Sequence, residues 1–141
     1  YGCYSLTSVP LLNTAAGTNF TSMFNNCNSL TSVPLLNTAA GTNFTSMFQN
    51  CYSLVRLPAL RTNSGTDFTT MLGGCKSLAS APFVGTAQDI NYASTQLSAT
   101  ELNRIYSQLA TAAKTITITG CYGATGDDPS IATGKGWTVV G

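Results

Sequence analysis

Apolar side chains recur along this chain in fixed columns. Leu6, Leu30, Leu54 and Leu78 form one, Val9, Val33, Leu57 and Ala81 a second, and Cys3, Cys27, Cys51 and Cys75 a third, all at an interval of 24 residues. A constant period of this length is the mark of a repeat array in which every repeat is one structural unit. The unit Cys3 to Asn26 differs from the unit Cys27 to Asn50 only at Tyr4/Asn28 and Asn25/Gln49. The third unit, Cys51 to Gly74, keeps the frame but has diverged, and the fourth, starting at Cys75, drifts further after Thr86.

Within a unit two local patterns stand out. Leu6-Thr7-Ser8-Val9-Pro10-Leu11 alternates around Val9 and predicts an extended segment. Phe20, Met23, Phe24 and Cys27 are spaced i, i+3, i+4, i+7 and predict a helical stripe, capped by Thr18 or Asn19 and, in later units, by Thr42-Asn43 and Thr66-Asp67. The apolar side chains of one unit cannot offset the entropy lost in ordering it. The units must therefore stack, at roughly 4.8 Å each, and share their interior and a ladder of parallel-strand hydrogen bonds.

After Leu97 the frame gives way to a different pattern. Ser98 and Glu101 have the spacing of a capping box, and Leu97 with Leu102 that of a hydrophobic staple. Leu102, Ile105, Tyr106, Leu109 and Ala113 lie along one expected helix face, with Asn103, Arg104 and Gln108 toward water. Thr115 to Thr119 alternates as a strand, Asp128-Pro129 opens a short helical turn toward Lys135, and Trp137 to Val140 is expected to be a last strand with Trp137 as an apolar lid. Residues 1–97 are thus read as about four repeats, truncated at the N-terminal side, and residues 98–141 as a C-terminal cap. The apolar edge of Leu6, Val9, Phe20, Met23 and Phe24 is expected to be covered by preceding repeats, another domain or another subunit.

The runs MFNNCNSLTSVPLL (Met23 to Leu36) and MFQNCYSLVRLPAL (Met47 to Leu60) resemble the signature of the BspA-type leucine-rich repeats. These occur in surface proteins of gut Bacteroidetes, in mycoplasma lipoproteins and in phage tail-associated proteins. The tail from Lys114 to Gly141 resembles the segment that often closes such arrays. The resemblance implies an α/β fold: a right-handed leucine-rich-repeat solenoid of 24-residue coils with a parallel sheet and a helix-strand cap. It implies an extracellular, cell-surface or virion setting. Gly73-Gly74, with Leu72 where earlier units have Phe, departs from the pattern and implies a reshaped third turn.

Composition narrows the function. The chain has 141 residues, 43% of them hydrophobic, enough for one domain with a core. Only 8% are charged, for a net charge of +1, and the first charged side chain is Arg56. Without a basic patch or a basic amphipathic helix, neither nucleic acid nor membrane insertion is expected. The evenly spaced cysteines form a file, not the corners of a tetrahedron. With no CxxC pair and no histidine, they are read as buried reduced thiols and no metal or other cofactor is expected. Cys121 lies outside the file and reads as a free thiol.

Catalysis lacks a histidine base, and Asp67, Asp89, Glu101, Asp127 and Asp128 read as caps or loop residues, so no enzyme is expected. The segment GATGDD lacks the GK[ST] ending of a phosphate loop. Threonine columns at Thr14, Thr38, Thr62 and Thr86 and at Thr18, Thr42 and Thr66 could match an ice lattice; turn positions that satisfy local backbone groups are the more ordinary reading.

Recognition is therefore expected on the variable exposed columns: Tyr4, Asn28, Tyr52 and Lys76 in one, Ser8, Ser32, Arg56 and Ser80 in the other. Tyr offers contact area at low entropy cost and Arg a planar donor fork, which makes Tyr52 and Arg56 the centre of the expected site. The expected function is non-catalytic binding of a protein or glycan at a cell surface, as a bacterial adhesin or a phage receptor-binding module. The alternative is a structural spacer or assembly segment, which the near-identity of the first two units favours.

Overall fold

In the computed structural model, which describes residues 2–141, the 24-residue interval is a relation between spatial neighbours. The amides of Phe20, Ser22, Phe24 and Asn26 donate to the carbonyls of Asn43, Thr45, Met47 and Gln49, and those of Phe44, Ser46, Phe48 and Asn50 to Asp67, Thr69, Met71 and Gly73, all at 2.7–2.9 Å. The amides between them, on Met23, Asn25 and Cys27, turn back to carbonyls three residues earlier. The expected helix over Phe20 to Cys27 is therefore absent. Every second N–H is committed to the next unit, so an i→i−4 ladder cannot form, and Ser22 and Asn26 sit at φ 55° and 60°, in the left-handed region. The expected capping residues do act, but as Asx turns: Asn19, Asn43 and Asp67 each accept from the amide two residues on at 2.9 Å.

The expected strand around Val9, Val33 and Leu57 is also reduced. It survives as single parallel bridges, Ser32 to Arg56 and Arg56 to Ser80. Pro34, Pro58 and Pro82, two residues on, bring no N–H to a ladder, which limits pairing there. Two-residue strands follow at Leu60–Arg61 (β1) and Phe83–Val84 (β2), paired in parallel one residue short of the frame. Gly85, at φ +77°, takes up the difference, and Thr62 and Thr86 are back in register with hydroxyls 2.6 Å apart.

On the opposite wall a second file of parallel bridges joins Asn19 to Asn43 and Asn43 to Asp67. Beyond it lies a three-stranded parallel sheet of Ile90–Asn91 (β3), Thr115–Thr117 (β4) and Thr138–Val140 (β5). No bridge joins Asp67 to Asn91. The molecule is thus mixed α/β, with short strands in two parallel sheets.

Stacking fills the interior. Phe44 lies between Phe20 and Phe68 with ring centroids 5.5 and 5.2 Å away and planes within 13°, and Phe24 stacks on Phe48 at 5.4 Å. The rings press on glycines: a Cβ on Gly65 would sit 2.3 Å from the Phe68 ring, so that position has no room for a side chain. Leu30, Leu54 and Leu78 are fully buried, as are Cys51 and Cys75, whose thiols donate to the carbonyls of Phe24 and Phe48. Burial pushes both thiols up to about 12. The threonine columns differ from the local-turn expectation. Thr14 and Thr38 are buried and donate to Asn37 and Arg61 carbonyls of the next unit, while Thr42 and Thr66 donate to the Thr18 and Thr42 carbonyls of the preceding one. They tie units together.

The helix Ala99–Gln108 (α1) starts where Ser98 accepts from the Glu101 amide and buries Leu102, Ile105 and Tyr106. The reciprocal half of the capping box is missing, because the Glu101 carboxylate reaches another unit instead. Ala113 is exposed, past the helix end, and Asn103, Arg104 and Gln108 are half-buried. Asp128 accepts from the Ser130 amide at 3.1 Å and starts the short helix Ser130–Thr133 (α2). Trp137 is buried and donates to the Ala110 carbonyl at 2.8 Å. At the opposite end Leu6 and Val9 are half-buried and Met23 is exposed. Phe20 and Phe24, read as part of the edge that another unit would cover, are already buried within the chain, Phe20 between Gly17, Gly41 and Phe44.

Candidate functional site: an exposed recognition surface

The two variable columns rest on backbone that stacking holds in place. Arg56 is the middle rung of the file Ser32, Arg56, Ser80, paired on both sides, and Thr7 accepts from the Thr31 amide, which puts Ser8 beside Ser32. Arg56, Ser8 and Ser32 are exposed. The Arg56 guanidinium makes no hydrogen bond or ion pair within the described residues, so its donor fork is turned to solvent.

Ser80 behaves differently. It is half-buried, and its hydroxyl donates to Glu101 Oε1 at 2.8 Å; the Ala81 amide donates to the same oxygen at 3.3 Å. Arg104 closes the group, Nε donating to Glu101 Oε2 at 2.8 Å and the terminal nitrogen to Oε1. Burial works against the Glu101 charge, but the bonds from Arg104, Ser80 and Ala81 outweigh it and hold the carboxyl below its ordinary range. The structure therefore removes Ser80 from the exposed set and makes it a mooring for the cap. The spacing of Ser98 and Glu101 gave no hint of this, since the partner lies on another unit.

In the other column Tyr4, Tyr52 and Lys76 are exposed, the two tyrosines at 61% and 44%. Tyr52 lies over Gly74, where a Cβ would come within 3.4 Å of its ring. What the Gly spares at this third turn is Asn50, whose Oδ1 a Cβ would meet at 2.7 Å, and its φ of +81° suits a residue without a side chain. Asn28 is half-buried, and with its amide oriented to satisfy the carbonyls around it the nitrogen donates to those of Asn50 and Asn26 at 2.8 and 3.3 Å, so it braces the stack and offers little to a ligand. The arrangement leaves Tyr52, Arg56 and Lys76 as the chemically richest exposed groups, with Tyr4, Ser8 and Ser32 beside them in their columns.

Leu11 and Leu35, at 79% and 65% exposure, form an apolar ridge that the alternation around Val9 did not reveal. It ends at Ala59, next to Arg61, and flanks a shallow hollow lined also by Leu12 and Leu36. Among the described residues no group of three or more Cys, Asp or Glu is placed to hold a metal ion, and no helix is long and apolar enough to cross a membrane. Comparison with protein-family models, curated protein sequences and solved structures finds no match to the chain.

Proposed function

We propose that the chain is the closing part of a BspA-type leucine-rich-repeat solenoid that acts as a non-catalytic recognition module on a bacterial cell surface or a phage tail, gripping a protein or glycan. The reading is supported above all by Arg56: a guanidinium free of internal partners, on backbone paired from both sides, with Tyr52 four residues before it leaning on Gly74. The backbone of such a surface is pre-ordered, so a ligand has to order only the side chains that it touches. Further repeats or another subunit stacked on the half-exposed Leu6 and Val9 would extend it.

A spacer role is the second reading. It is favoured by the identity of the first two units at all but two positions, since a surface selected for one ligand diversifies its exposed columns. The test is binding of the purified chain to bacterial cells and to a glycan array, repeated with Tyr52→Ala and Arg56→Ala. On the recognition reading each substitution weakens binding at least tenfold, the effect of a hot-spot side chain worth more than about 1.4 kcal/mol. Binding that ignores both substitutions, or no binding at all, leaves the spacer.

A further inference from the structure

The file of inter-unit hydrogen bonds stops between the third and fourth units, on one wall only. In the first two units the alternate amides of each Phe-to-Asn segment donate to the next unit. In the third, the corresponding amides of Phe68, Thr70, Leu72 and Gly74 donate to no acceptor within the described residues, and the carbonyls of Asn91 and Ala93, in the places of Asn43 and Thr45, do not receive them. On the other wall the same two units remain joined, through β1 and β2 and through the Arg56 to Ser80 bridge. The two units therefore open like a book with its spine at Leu60 and Phe83.

The side chains account for the opening. Tyr92 takes the place of Phe68 in the fourth unit, but its ring tilts onto Phe83, 5.7 Å away, and its hydroxyl donates to the Ala81 carbonyl. Thr95 and Gln96 stand where Met71 and Leu72 would be, and the Gln96 amide turns to Leu78. The aromatic stack thus ends at Phe68. The mouth is a groove of about 520 Å³ where Thr66 to Thr70 face Gln88 to Asn91, continuing past Gly73 and Gly74 to Lys76.

We propose that this groove docks an extended peptide segment of a partner protein, running parallel to Asp67 to Gly74, with a basic side chain or α-ammonium at the Asp67 and Asp89 end and a carboxylate at the Lys76 end. One lip offers N–H groups at every second residue from Phe68 to Gly74, and the other the carbonyls of Asn91 and Ala93, those of Thr95 and Leu97 being taken by the Tyr122 and Gly123 amides; a polypeptide backbone matches this period with its own acceptors along the first lip and its own donors at the Asn91 end of the second. The acceptor that the equivalent amides take in the first two units is itself a backbone. Two carboxylates line the groove at its start, Asp67 and Asp89, and one ammonium at its far end, so the charge complement fixes the direction. The inference stands apart from the exposed-column reading, with which it shares Lys76 and the Gly74 backbone beside Tyr52.

The experiment uses the whole chain, labelled with ¹⁵N, and reads amide hydrogen exchange residue by residue. Without ligand, Phe68, Thr70, Leu72 and Gly74 exchange much faster than Phe44, Ser46, Phe48 and Asn50. The probe is a heptapeptide library with Lys first, Glu last and Thr, Ser, Val or Ile between. Its binding members slow exchange at the four amides, lose binding when N-methylated at every second residue, and bind roughly three- to fivefold more weakly after Asp67→Asn with Asp89→Asn, or after Lys76→Gln. The Asn variants keep the side-chain acceptors for the Thr69 and Thr115 amides, so the fold is preserved. Arg56→Ala leaves peptide binding intact, which separates this result from the test of the columns. Four amides already as protected as those of the second unit, protection by oligosaccharides and not by peptides, no binding member at millimolar concentration, or indifference to the charge changes would each overturn the proposal.

Discussion

Truncating the phenylalanine file one ring at a time should reveal where the stack ends. Phe44 is fully buried and has a ring on each side, at 5.5 and 5.2 Å, whereas Phe20 and Phe68, 4% and 5% exposed, each have one. Removing a buried Phe side chain costs about 3–5 kcal/mol, and a stacked aromatic pair contributes about 0.5–1.5 kcal/mol beyond the buried area. In a stacked array these costs enter as nearest-neighbour terms. Phe44→Ala is therefore expected to cost about 4–5 kcal/mol, and Phe20→Ala and Phe68→Ala about 1 kcal/mol less. Phe68 is the informative case, since by sequence it sits inside the array and by structure it is the last ring before the groove. Urea unfolding followed by circular dichroism gives the stabilities, and Trp137 fluorescence reports whether the cap melts with the repeats. If Phe68→Ala costs as much as Phe44→Ala, the stack continues into the fourth unit and the account of the opening is wrong.

Three further outcomes follow from the titratable groups. Exposed Cys3 should react with iodoacetamide at pH 8 while Cys51 and Cys75, raised to about 12 by burial, stay unmodified until denaturant is added; mass spectrometry showing equal rates would contradict the stacking. Because the folded thiols titrate above the ordinary value of 9.0, their contribution is complete below pH 9 and is lost as pH rises from there toward about 12, so Tm should fall over that window. Glu101 has the opposite sign. Its lowered carboxyl contributes stability above the ordinary 4.5 that is lost as pH falls through the folded value, so Glu101→Gln should lower Tm at pH 7, by about 1 kcal/mol in stability, and flatten the acid side of the Tm profile. An unchanged acid slope in the Gln variant would remove Glu101 as the mooring of Ser80.

The interval of 24 residues and the columns it aligns were legible because burial is periodic: Leu30, Leu54 and Leu78, or Phe20, Phe44 and Phe68, are neighbours in space for the same reason that they are neighbours in frame. The local backbone was less legible. The i, i+3, i+4, i+7 spacing of Phe20, Met23, Phe24 and Cys27 fits a helix, but two successive turns with left-handed residues at Ser22 and Asn26 place the same side chains inward. A signal was present in the column Asn26, Asn50, Gly74, since Asn and Gly are the residues that adopt positive φ most readily, and a strict file of them argues against continuous helix. The threonines misled for a related reason. A hydroxyl can satisfy its own turn or the turn above it, and only the stacked geometry shows that Thr38 and Thr66 choose the neighbour.

The candidate surfaces were legible only where the repeat varies without losing its frame. Tyr52, Arg56 and Lys76 stand out as changes at exposed columns, yet Ser80 belongs to the same column and is tied to Glu101, because the cap folds back onto the fourth unit and alters the fate of one rung. The groove between the third and fourth units was invisible to column reading, because no single substitution creates it. It arises where three apolar positions turn polar together, Phe68 to Tyr92, Met71 to Thr95 and Leu72 to Gln96, so that one wall loses its cohesion while the other keeps its bridges. In a stacked array the interfaces between repeats are separate terms, and one can be weakened without disturbing the rest. That separability lets a nearly uniform scaffold carry one distinct site, and it places that site at the junction where repeat gives way to cap.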